Sequence, residues 1–92
     1  MNEQKQGVIQ RRYLPMKVNV KYFAGIAEIT GADQAILEDF SSMAVLQSHL
    51  FNEFPPLKDM TYIIAHNQEI KEIDFQLEDG DEIAFLPPFA GG

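Results

Sequence analysis

Residues 77–92 read LEDGDEIAFLPPFAGG. An acidic turn centred on Gly80 leads into an apolar strand over Glu82–Leu86. Along that strand Ile83 and Phe85 share one face, and Ala84 and Leu86 share the other. The strand then runs directly into Pro87, Pro88, Phe89, Ala90, Gly91 and Gly92, where the sequence given stops. A terminus frays unless something ties it down. Where this last strand sits therefore governs both the fold and the meaning of the tail.

Near the start of the chain, MKVNVKYFA (16–24) reads as the first strand, with Val18, Val20 and Tyr22 on one face and Lys17, Asn19 and Lys21 on the other. GIAEITGAD (25–33) has glycines at or near both ends and reads as a loop or short helical turn. QAILEDF (34–40) reads as a second strand. Ser42 is placed to cap a helix, since its hydroxyl can accept from the first free backbone N–H groups. Met43, Leu46, Leu50 and Phe54 then recur at helical spacing until Pro55–Pro56 stop the helix. TYIIAH (61–66) and EIKEI (69–73) read as strands joined by a turn at Asn67–Gln68.

The order strand, strand, helix, strand, strand, strand predicts an α+β domain of the β-grasp (ubiquitin-like) class. Its mixed sheet would have about four to five strands with one main helix packed on one face. The first and last strands are expected as parallel neighbours in the middle of that sheet.

A chain of 92 residues, 46% hydrophobic, supports one core and one domain. Residues 1–15 are polar apart from short apolar pieces, carry Arg11–Arg12 and end in Pro15; we expect a flexible extension there. Residues 16–86 form the expected domain and 87–92 an extended tail. No apolar run approaches the roughly 18–20 residues of a membrane span, and Met1–Arg12 does not read as a secretory signal. Fourteen acidic against seven basic residues give a net charge of −7. That surface repels phosphate backbones, which argues against nucleic acid and favours a basic protein partner. Cysteine is absent. This excludes disulfides, thiolate metal sites, iron–sulfur clusters and any cysteine nucleophile or persulfide, and is compatible with a cytoplasmic protein.

Phe23 breaks the alternation of the first strand and Leu86 that of the last, both toward the face opposite the helix. With Phe89 they are candidates for an exposed apolar patch that meets a partner. The competing explanations are a lapse of alternation at strand ends or coverage of Phe23 by the N-terminal extension. In the tail, Pro87–Pro88 restrict the backbone, and Gly91–Gly92 have no Cβ, so a narrow channel can close around them. Six extended residues reach about 20 Å. Such a tail suits a carboxylate that is activated and delivered into another protein.

These segments together, MKVNVKYFAGIAEITG (16–31), SSMAVLQSHLFNEF (41–54) and LEDGDEIAFLPPFAGG (77–92), resemble the molybdopterin synthase small subunits, the MoaD family of ubiquitin-like sulfur carriers. The resemblance covers about residues 16–92 and leaves the extension outside. His66 departs from it, standing where a small aliphatic residue is commoner. The resemblance implies that a MoeB-like enzyme adenylates the Gly92 carboxylate with ATP and that a sulfur donor converts the adenylate to a thiocarboxylate. It also implies that the tail, with Gly91 and Gly92 at its tip, enters a MoaE-like large subunit and gives up sulfur to a pterin precursor. Phe23, Leu86, Pro87, Pro88, Phe89 and Ala90 would touch that subunit, in a heterotetramer. On this reading the chain binds no permanent cofactor and is not catalytic alone. The alternatives are a sulfur carrier for another product such as the thiamine thiazole, a ubiquitin-like protein modifier, or a non-catalytic binding module.

Other polar residues carry weaker signals. His49 and His66 lie on different elements and are not expected to form a metal or acid–base pair. Asp79, Asp81 and Glu82 lack the spacing of a calcium loop. They read as an acidic turn, with contact to a basic partner as the competing role.

Overall fold

In the computed structural model, residues 15–88 are described. The expectations for the extension before residue 15, and for Phe89, Ala90, Gly91 and Gly92, lie outside the described residues. Along the chain the elements are β1 (Lys17–Tyr22), α1 (Gly25–Thr30), β2 (Gln34–Glu38), α2 (Met43–Glu53), a 3₁₀ helix (Pro55–Asp59), β3 (Ile63–His66), β4 (Glu69–Lys71) and β5 (Glu82–Leu86). The five strands form one mixed sheet in the order β2-β1-β5-β3-β4.

The final strand is thus interior. β5 runs parallel to β1, with Val20 beside Ile83 and Tyr22 beside Phe85, and antiparallel to β3, with Ile64 beside Phe85. Both partners hydrogen-bond it, so fraying of the chain end is suppressed up to Leu86. Its inward residues, Ile83 and Phe85, are fully buried. The Phe85 ring lies between Tyr22 and Tyr62, with centroid separations of 6.0 and 5.1 Å. Burial of one such ring contributes about 1.5–3 kcal/mol.

Val18, Val20 and Tyr22 turn inward as their alternation predicts, and α2 covers them with Met43, Leu46 and Leu50. The entry to α2 is fixed twice. The Ser42 hydroxyl accepts from the Val45 amide at 3.3 Å, and Met43 N donates to Phe75 O at 3.0 Å while Leu77 N donates to Ser41 O at 3.0 Å. The segment after β4 therefore returns beneath the sheet to brace the helix start. At the far end Phe54 precedes Pro55, a position from which the helical region is disfavoured. It takes φ −129° and ψ 75° as the C-cap.

Several limits differ from those expected. Residues 25–30 are a short helix, with Ile26 buried against the core. β2 stops at Glu38, because Asp39 turns to φ 67° and its amide donates to Met16 O at 2.7 Å. β4 stops at Lys71, before the chain dives toward Phe75. Asn67 and Gln68 take φ 50° and 74°, the left-handed pair of a two-residue hairpin turn.

Candidate functional site

The end of the sheet from which Leu86 departs carries the residues singled out from the sequence. Parallel pairing of Tyr22 with Phe85 places Phe23 level with Leu86, and Phe23 N donates to Phe85 O at 3.2 Å. On its other side Leu86 pairs with Ile63. Since Phe85 and Ile64 point into the core, Phe23, Leu86 and Ile63 all face away from α2. At a strand spacing of about 4.8 Å they form a row roughly 10 Å wide.

A second row lies behind it. Ala84 pairs with Ala65, and Ala65 with Ile70. Both alanines point to this outer face yet are nearly covered, at 8% and 7% exposure. Leu86 and Pro87 are half-buried and Pro88 is exposed, whereas Phe23 and Ile70 are 44% and 62% exposed. The patch is therefore larger than Phe23 and Leu86 alone. A Lys21–Glu82 ion pair at 3.5 Å borders it.

Ile63 and Ile70 were missed by pattern reading. The signal for them is nonlocal: the core takes Ile64 beside Phe85, which turns Ile63 outward beside Leu86, and Ile70 pairs with the outward Ala65. Phe89, Ala90, Gly91 and Gly92 lie beyond the described residues, so the patch is assigned only as far as Pro88.

The acidic turn is built differently from a partner-facing cluster. Asp81 is a buried charged residue, 8% exposed. Its carboxylate accepts from Glu78 N at 2.9 Å, Asn67 Nδ2 at 3.1 Å and His66 Nε2 at 2.8 Å. Burial alone would raise the Asp81 carboxyl, but these donors outweigh it and hold the group below the usual carboxylate range. With Nε2 of His66 directed at that carboxylate, its Nδ1 lies 3.1 Å from Lys71 Nζ. The imidazole stacks on Phe75 with centroids 4.3 Å apart. His66 thus fills a structural niche, fastening the β3–β4 turn to the start of β5. Asp79 likewise accepts from Lys17 N at 2.8 Å. Among the described residues no group of three His, Asp or Glu side chains is placed to hold a metal ion, and no helix is long and apolar enough to cross a membrane.

Comparison with known proteins follows the same lines. The family model described as the ThiS family matches residues 20–92. The molybdopterin synthase sulfur carrier subunit of Escherichia coli is 34% identical over 80 residues, spanning 82% of this chain and 99% of its own. Among solved structures, a putative molybdopterin converting factor subunit 1 from Pyrococcus furiosus superposes with a TM-score of 0.73 at 26% identity, covering 79% of this chain and 98% of that one. A chain from the complex of subunits 1 and 2 of the Helicobacter pylori molybdopterin-converting factor superposes with a TM-score of 0.63 at 28% identity, covering 84% and 100%. A β-grasp sheet, an interior final strand and a family match that reaches the last residue agree: the chain belongs to the ThiS family, as a relative of the molybdopterin synthase sulfur carrier subunits.

Proposed function

We propose that this protein is the sulfur carrier of a molybdopterin synthase, with Gly92 as the attachment point. The observation that carries the reading is the position of β5. An interior strand hydrogen-bonded on both sides leads straight into Pro87–Pro88 beside an apolar row, and the sequence beyond ends Ala–Gly–Gly. The scaffold holds the base of the tail rigidly, and the remaining residues are long enough to reach into a neighbour's cleft. The names of the similar proteins support the pathway, and the Helicobacter pylori complex supports a second subunit as partner.

In this account an activating enzyme of the MoeB type binds the chain and ATP. A Gly92 carboxylate oxygen attacks the α-phosphate and pyrophosphate leaves. A donor that delivers sulfur at the sulfide level then attacks the carbonyl carbon; the C–S bond forms as the C–O bond to AMP breaks, and loss of the proton on sulfur leaves a thiocarboxylate. Glycine leaves that carbon unhindered. The apolar patch, Phe23 with Leu86, Ile63 and Ile70, docks on the large subunit, while Pro87 and Pro88 limit the freedom lost when Phe89–Gly92 are threaded. Sulfur passes to the pterin precursor there, and water restores the carboxylate. Two carriers supply the two sulfurs of the dithiolene, which fits a heterotetramer in the cytoplasm. The acidic surface, net −7, favours basic partners.

The test is reconstitution. Thiocarboxylated chain added to the large subunit and precursor is expected to give the dithiolene product, and the carboxylate form none. Equal product from both forms refutes the reading.

A further inference from the structure

At Leu86 the hydrogen-bond ladders on the two sides of β5 end together. On the β1 side Phe23 N donates to Phe85 O at 3.2 Å, and on the β3 side Asn67 N donates to Glu82 O at 2.8 Å. The amide and carbonyl of one strand residue point to the same neighbour, and successive residues alternate. Ile83 and Phe85 therefore bond β1, while Ala84 and Leu86 bond β3. By the same alternation residue 87 would aim its amide at the Phe23 carbonyl. Residue 88 would aim its amide at the Thr61 carbonyl, two residues beyond the Ile63–Leu86 pair. Both positions are proline, and neither has an amide hydrogen to give.

The backbone on each flank bears the mark of that missing donor. Phe23 O accepts from Ile26 N at 3.1 Å instead. Across the sheet the chain is already extended at Met60, with φ −94° and ψ 146°, yet β3 begins only at Ile63. TYIIAH (61–66) thus joins the ladder two residues late, opposite the two prolines. Pro87 is half-buried and Pro88 exposed, so core packing does not account for the pair.

We propose that Pro87 and Pro88 are positioning residues that end the sheet on both flanks at once and so set where the free tail begins. One proline silences one neighbour; two in succession silence both. With amides at these positions the ladder would run two residues further. The free tail would then shorten from six residues to four, from about 20 Å of reach to about 13 Å. This role is separate from stiffening, and it rests on the reading of Gly92 as the attachment point.

Pro87→Thr, Pro88→Thr and the double variant of the full chain restore the amides on a residue suited to strands. In the double variant both new amides are expected to exchange at least about tenfold more slowly than in an unstructured chain. Nuclear magnetic resonance should show couplings through hydrogen bonds from the nitrogen at 88 to the Thr61 carbonyl carbon and from that at 87 to the Phe23 carbonyl carbon. Each single variant gains only its own coupling. Sulfur loading of Gly92 by the activating enzyme, ATP and a sulfur donor, followed by intact mass, falls roughly 5–20-fold in the double variant, because the added bonds must open first. Two glycines inserted between positions 88 and 89 of that variant restore the reach and most of the rate. Loss of proline contacts or of stiffness would not be recovered by flexible glycines. Free exchange of both new amides overturns the inference, as does parental loading with the amides protected, or loading that stays low after the insertion. A parent chain that gains no sulfur refutes the carrier reading, and this inference falls with it; the exchange data tell that failure from the first.

Discussion

The backbone N–H of Phe23 and the carbonyl of Phe85 meet at 3.2 Å, joining two residues separated by most of the chain. Through that bond the first strand supports the base of the tail. Phe85 is fully buried while Phe23 is 44% exposed, so the pair divides the work between holding the sheet and presenting a surface.

Phe23→Asp and Ile70→Asp are each expected to weaken binding to the large subunit by at least about tenfold, as for a charge placed in an apolar contact. Both side chains are exposed in the free protein, so circular dichroism and the thermal midpoint should stay near the parent values. A titration showing parental affinity for both would remove this face from the interface.

Removal of Gly92 is expected to abolish sulfur transfer without shifting the thermal midpoint, because the core is complete by Phe85. Transfer at the parental rate by the shortened chain would rule out the terminal carboxylate as the carrier group.

Core truncation behaves in the opposite way. Leu46 is fully buried beneath the sheet, and Leu46→Ala should cost about 2–5 kcal/mol in denaturant unfolding. A cost below about 1 kcal/mol would contradict the packing described, since even small deletions in a close-packed core are felt.

Asp81 gives a dependence on pH. Its folded-state carboxyl lies below the ordinary aspartate value of 3.8, so the stability it contributes is fully present above that value. That contribution is lost as pH falls through the lower, folded-state value. Asp81→Asn should lower stability at neutral pH by about 1–3 kcal/mol and flatten the acid limb of the stability profile. An unchanged acid limb would mean that the carboxylate is not fastened by His66, Asn67 and the Glu78 amide.

Much of this was legible in local pattern. Alternation identified the inward faces of β1 and β5, and Ser42 and Pro55 marked the ends of α2, because these signals need only near neighbours. The short helix α1 was ambiguous: Gly25 and Gly31 bracket too few residues for helical periodicity to show. Ile63 and Ile70 required the register of a hairpin, and register follows from which of two adjacent isoleucines the core accepts. The inward turn of Asp81 was hidden because its donors, His66 and Asn67, lie on another hairpin. An acidic run reads as solvated until those partners are in place.

The chemistry of the tail is settled by the intact mass of the chain after incubation with ATP, its activating enzyme and a sulfur donor. The account predicts a mass increase equal to replacement of one oxygen by sulfur, confined by fragmentation to Gly92 and absent when ATP is withheld. An unchanged terminal residue in a chain that still supports dithiolene formation would contradict it.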